Sequence, residues 1–287
     1  MLKTEIDRLY SDYSEDELKK VHLSKCISYG DLVMKRIIRD NEKFRNTEII
    51  VLSLYRNVLE LLDGLFLLVD HNSKSSSVVV LRSLFEASAN FSYLLIDYKK
   101  IEERANYYYV GFAMEEIKAC ERALSLDIKG SLSAEKLQKK IDDHYIILNG
   151  YQSSNYKEWM RLKVSLVAQR KNPEFHPNWY SVFKGPRSLK QLSAKVNLKD
   201  VYDLIYSNFS LEAHGFVSLD GIRRTDEGGV MFQPLRSMET LQMQIYLGTR
   251  LFSMCTAYLL KTYLKDQLED FNIFFDEITK HFVPDAD

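Results

Sequence analysis

Five side chains stand out as groups able to carry a proton or hold a developing charge. Arg82 and Glu86 lie one helical turn apart, and Tyr206, Ser210 and His214 follow one another at intervals of four. At that spacing the last three share one face of a helix, because residues i and i+4 superpose along a 3.6-residue repeat. His214 precedes Gly215, a residue suited to the left-handed C′ position, so its imidazole falls in a last turn where the helix dipole favours the protonated ring. A histidine there is either a plain C-terminal cap or, beside an arginine, a general acid–base next to a cation that holds a phosphoryl oxygen. Arg82 and Glu86 sit among Val78, Val79, Val80, Leu81, Leu84 and Phe85. With Arg preceding Glu, the order is the weaker one for a surface pair, and the pair is either a solvated couple or a buried one that orients a second helix.

Other chemistries fit less well. A Ser–His triad needs an exposed nucleophile and an oxyanion hole, whereas a serine inside a helix bonds its own i−4 carbonyl, and no Gly-x-Ser-x-Gly elbow is present. The metal motifs HExxH, Glu-x-x-His, EF-hand and the Walker loop are missing, and Glu212 and His214, two apart, point to different faces. Glu115 and Glu116 read as a solvated helix face. No cofactor is expected.

A third feature is the charge distribution. The chain carries −1 overall, but Lys157–Lys199 holds ten basic residues against two acids, a balance of +8 that leaves −9 elsewhere. Arg161, Arg170, Lys171, Lys184 and Arg187 are interleaved there with both tryptophans (Trp159, Trp179) and with Phe175, Tyr180 and Phe183. Cations that hold phosphates and rings that stack on bases are what single-stranded nucleic acid requires. The alternative is that the rings plug the segment into the core while the lysines face water. The six-residue step from Arg170 to His176 is similar to the Arg–His spacing of HEPN-type helical ribonucleases, though Pro173 interrupts it. That similarity implies RNA met by Arg and His at a dimer cleft without a metal.

The elements that must hold these groups are helices. All five prolines lie at or beyond Pro173, so the first 172 residues can run as long helices. The pattern predicts a helix opened by Ser14-Glu15-Asp16-Glu17 and running through Ile38, then one from Glu48 to about Asp70. The polar run His71–Ser77 turns the chain into a helix over Val78–Tyr98, giving an antiparallel pair. Further helices are predicted over Lys100–Leu126, Ser133–Leu148, Asn155–Gln169, Leu198–His214, Ser237–Lys265 and Phe271–Phe282, with a short one from Ser188. Asp-Gly and Gly-Gly in Val217–Leu235 signal a short hairpin or lid.

The expected fold is therefore all-α: a single helical bundle domain of about eight to ten helices, with an irregular Pro- and aromatic-rich insert and a short hairpin. Residues 1–45 form an N-terminal extension, 46–217 the core, and 218–287 the hairpin and closing helices. Val58–Val69, broken by Glu60, Asp63 and Gly64, is too short to cross a bilayer. The charged N-terminus has no apolar run of a secretory leader, and three dispersed cysteines with no CxxC suit reduced thiols. The expectation is a cytoplasmic protein that does not engage a membrane.

At RSLFEA (Arg82–Ala87) and YSNFSLEAHG (Tyr206–Gly215), with Trp179 and the helix after Ser188 between them, the chain resembles a bacterial helical family of unknown function, numbered five-six-seven-seven. The resemblance covers roughly Ile50–Val217 and implies that Arg82, Glu86, Tyr206, Ser210 and His214 are its site positions. The leading expectation is a metal-independent RNA-acting enzyme of HEPN-like type, a toxin or phage-defence effector. In it His214 serves as acid–base, Arg82 holds the phosphate, Glu86 and Tyr206 orient them, and Ser210 positions. The alternative is a non-catalytic interaction module that binds nucleic acid or a partner protein through the basic segment. RNA or another anionic ligand is the expected partner. A homodimer, which would supply a second histidine across a two-fold axis, is the expected assembly.

Overall fold

The computed structural model describes residues 2–4, 22–126, 133–170, 175–208, 222–224, 229–232, 236 and 241–280. Along the chain the helices are α1 (His22–Asp40), α2 (Asn46–Asp70), α3 (Lys74–Leu95), α4 (Ile101–Ser125), α5 (Ala134–Asn149) and α6 (Ser153–Arg170). They are followed by α7 (Leu189–Lys195), α8 (Lys199–Asn208), α9 (Gln242–Tyr263) and α10 (Leu268–Thr279), with a 3₁₀ helix over Trp179–Lys184 ahead of α7. The all-α class expected from sequence is the one found. Strands β1 (Ile222–Arg224) and β2 (Val230–Phe232) pair antiparallel, with Ile222 opposite Phe232 and Arg224 opposite Val230. That is the predicted hairpin. The chain divides into two compact units, Met1–Tyr98 with Ser193–Asp287, and Lys99–Leu192.

The first unit is built on the α2–α3 pair, against which α1 and α9 pack. Glu48 accepts a hydrogen bond at 2.9 Å from the backbone N–H of Arg45, satisfying a donor that the start of α2 leaves unpaired. The turn into α3 is shorter than the polar run suggests, taking up only His71–Ser73. Asn72 adopts φ 54°, a left-handed conformation that asparagine reaches more cheaply than most residues. Lys74–Ser77, expected as turn, is the first turn of α3. Ser77 is fully buried there because its hydroxyl donates to the Lys74 carbonyl at 2.6 Å and so leaves no unmet polar group.

Tyr29, Val33, Tyr55, Val58, Leu62, Leu81, Phe85, Phe91, Phe252 and Leu259 are withdrawn from water in this unit. The Tyr55 hydroxyl meets Thr256 Oγ1 at 2.8 Å and is paired, whereas the equally buried Tyr29 hydroxyl has no hydrogen-bond partner among the described residues. Gly30 lets α1 approach closely: a Cβ there would stand 2.6 Å from Leu59 Cδ2 and 3.0 Å from Phe252 Cε2. Cys26 and Cys255 are buried free thiols in the same core, and burial pushes the Cys255 thiol up to about 12. By length and composition α3 could cross a bilayer, but Val78, Leu81, Leu84 and Phe85 are spent on this core.

In the second unit α4 carries α5 and α6. Its core joins Val110, Ala113 and Ile117 to Leu137, Ile141, Leu148, Trp159 and Val182. Ser133 caps α5 by accepting the Lys136 N–H at 3.3 Å. Gln152, buried at the mouth of α6, donates to Asn106 Oδ1 at 2.9 Å and accepts from Asn155 at 2.7 Å, tying α6 to α4. The 3₁₀ helix lies so near α4 that a Cβ on Gly111 would fall 2.7 Å from Trp179 Cβ.

Candidate functional site

The second unit holds a cleft of about 380 Å³ between α6, the extended stretch 175–178 and the 3₁₀ helix. Arg161 and Arg170 reach it from α6, and Lys184 and Arg187 from the far wall. Among the described residues Glu158 is the only acid on its lining, and it is engaged by Arg161 at 2.8 Å. The Arg170 guanidinium lies 4.2 Å from the centre of the Phe175 ring, a cation–π contact on the floor. Lys184 has φ 62°, a region where a non-glycine residue is strained. It is the last residue of the 3₁₀ helix, before Gly185, a place where a left-handed residue commonly ends a helix.

Of the residues singled out for nucleic-acid binding, Arg161, Arg170, Lys184 and Arg187 line this one cleft. Trp179 stands elsewhere: it packs edge-on to Tyr108 at 5.4 Å and against Tyr180 at 5.8 Å, wedging the segment onto α4. Trp159 is 1% exposed and belongs to the core. The ring that faces the cleft is Phe175. Lys171 lies outside the described residues.

On its other side, α6 borders a second cleft of about 530 Å³, lined by Lys118, Glu121, Arg122, Tyr145, Lys163 and His176 among others. Arg170 and His176, six apart in sequence, therefore open onto different clefts. His176 Nδ1 is 3.1 Å from Glu115 Oε1, its Nε2 is 3.0 Å from Lys163 Nζ, and its ring stands edge-on to Trp159 at 5.3 Å. Burial and the Lys163 ammonium push its pKa below the ordinary histidine value, against the smaller pull of Glu115. A neutral ring with the proton on Nδ1 satisfies both neighbours: it donates to the carboxylate and accepts from the ammonium. No sequence pattern signals this trio, whose members come from α4, α6 and an irregular stretch. Glu115 stays largely exposed on its helix face while it meets His176, and Glu116 pairs with Lys140.

In the first unit Arg82 and Glu86 form a pair at 3.5 Å with side chains 26% and 43% exposed. The buried alternative is corrected. The apolar run winds Val78, Leu81, Leu84 and Phe85 into the core and leaves Val79, Arg82, Ser83, Glu86 and Asn90 along the outer face. Tyr202 on α8 meets Phe85 at 6.2 Å, so the helix that begins the Tyr206–His214 line contacts the helix that carries Arg82. Asp200 anchors the start of α8 to Arg250 at 2.8 Å. Burial alone would raise the Asp200 carboxyl, but the Arg250 hydrogen bond and the helix-start amide of Val201 outweigh it and hold it below the usual range. The Tyr206 side chain, Ser210 and His214 lie outside the described residues. Among the described residues no three His, Cys, Asp or Glu side chains gather as a metal ligand set.

No curated protein and no solved structure matches the chain. The model of a family of unknown function, DUF5677, matches residues 48–230, a span that takes in the Arg82 face, the basic cleft and strand β1. With well over half its length inside that match, the chain belongs to the family of unknown function DUF5677.

Proposed function

We propose that the protein binds single-stranded nucleic acid, RNA foremost, in the basic cleft of its second unit. One observation carries the reading: four cations from two walls line a cleft whose single acid among the described residues is already engaged, with a phenyl ring on the floor. Backbone phosphates would replace the screening ions around Arg170, Lys184 and Arg187, and a base would stack on Phe175 in place of the arginine that covers it. The test is fluorescence anisotropy with a labelled single-stranded RNA, comparing wild type with Arg170→Ala/Arg187→Ala. Loss of binding in a variant that keeps its circular dichroism supports the cleft, and equal binding by both proteins rejects it.

A second reading, RNA cleavage without a metal, draws on the half-exposed Arg82–Glu86 pair and on the Phe85–Tyr202 contact. His214 would move the proton, Arg82 would hold the phosphate, Glu86 and Tyr206 would orient them, and Ser210 would position the substrate. A homodimer is the assembly that gives such a site a second histidine. RNA incubated in EDTA with wild type, Arg82→Ala and His214→Ala separates the readings: cleavage by wild type alone favours the enzyme, and intact RNA in all three leaves a binding module.

A further inference from the structure

The stretch 175–178 separates the two clefts of the second unit. Phe175 and Pro177 face the basic cleft, and His176 between them faces the other. No regular secondary structure holds this stretch. Its side-chain hydrogen bonds among the described residues run through His176, to Glu115 on α4 and to Lys163 on α6. We propose that His176 is a proton-sensitive clip that sets the stacking floor of the basic cleft, so that nucleic acid binds well when the ring is neutral and poorly when it is charged.

The geometry admits the two bonds together in one protonation state. A second proton puts an N–H on Nε2, 3.0 Å from the Lys163 ammonium, which turns an accepted hydrogen bond into a repulsion between two cations. The contact with Glu115 survives and pulls the ring toward α4. Its two attachments then no longer agree, and Phe175, the residue just before it in the chain, loses its fixed place. The other charged or titratable groups facing the ring are Lys118, Glu121 and Arg122 on α4 and Tyr145 on α5. Burial, Lys163 and Lys118 oppose the second proton, and Glu115 favours it more weakly, so the clip is closed at neutral pH and opens in acid. This runs against the general trend, in which acid makes a protein more positive and strengthens its grip on phosphates.

The inference rests on the nucleic-acid reading of the cleft, and the experiment keeps the two apart. Affinity for a labelled single-stranded uridine oligomer, whose bases do not titrate in this range, is measured for wild type and Lys163→Gln from about pH 7.5 to about pH 4.5 at fixed salt. A glutamine amide can donate to Nε2 or accept from Nε2–H, so it keeps the clip closed in either state, and Lys163 does not line the basic cleft. Wild type should lose about tenfold in affinity one pH unit below the His176 midpoint, because only about a tenth of the molecules are then competent. Lys163→Gln should lose none. Histidine-ring NMR, with His176→Asn assigning the resonance, should place that midpoint below the value for a free imidazole. Binding with the same pH profile in both proteins, or an ordinary midpoint, overturns the clip and leaves the cleft standing. No binding at any pH removes the cleft, and the clip with it.

Discussion

The two units use the same raw material, long helices rich in aromatic residues, to opposite ends. In the first, rings are spent on packing: Tyr29 stacks on Phe274 at 4.4 Å, Tyr55 tilts on Phe91 at 5.5 Å, and a hydroxyl that enters the core, that of Tyr55, finds Thr256. In the second, Trp159 and Trp179 pack while Phe175 floors a basic cleft beneath Arg170. The first unit is a frame. The second exposes its chemistry. A core of interlocked rings is sensitive to the loss of volume, whereas a cleft lined by long cations is sensitive to the loss of charge, so substitutions in the two should separate cleanly.

The largest effect that separation predicts is on folding. Phe252→Ala should cost about 3–5 kcal/mol of stability in denaturant unfolding, because Phe252 is fully buried beside Gly30 and Phe271, and the surviving folded protein should bind RNA as wild type does. Next is Phe175→Ala, expected to weaken single-stranded RNA binding by about 1–3 kcal/mol in anisotropy while leaving the unfolding midpoint in place. Removing one cation, as in Arg187→Ala, should be milder at low salt and show as a fall of about one in the slope of log affinity against log salt. The smallest effect lies in the frame. Arg250→Ala removes the partner of the largely exposed Asp200 and should cost under about 1 kcal/mol near neutral pH. Because the Asp200 carboxyl is held below its ordinary 3.8, the pair stabilises the fold above that value, and the difference between wild type and variant should vanish as pH falls through the lowered one.

How far the chain could be read in advance follows from how local each signal is. Helix starts at Ser133 and after Ser188, the α2–α3 turn and the β1–β2 hairpin depend on residues within a few positions of one another, and all were legible. So was the basic cleft as a segment, since Arg161 through Arg187 are neighbours in sequence. What the pattern could not show is which ring faces the cleft. Phe175 and Trp179 are four apart in a stretch that is not helical, so periodicity gives no face, and the larger ring turned out to be the wedge. The division at Tyr98 and Leu192 has no Gly- or Pro-rich linker to mark it, and the second boundary falls inside α7. The Arg82 stripe stays open between burial and exposure in the sequence because three consecutive valines hide which of them faces out: Val78 is buried and Val79 is half exposed. Glu115, Lys163 and His176 come from three separate elements, and nothing short of the fold brings them together.

The central claim, that the second unit offers its cations to a nucleic acid, is tested most directly by the salt dependence of RNA binding. Wild type and Arg170→Ala/Lys184→Ala/Arg187→Ala would be titrated with a labelled single-stranded RNA across a range of monovalent salt, with unfolding followed on the same samples. A wild-type slope that falls by about two to three in the triple variant, with the unfolding transition unmoved, is the predicted result. A shared slope in the two proteins, or no RNA binding by wild type at low salt, would contradict it.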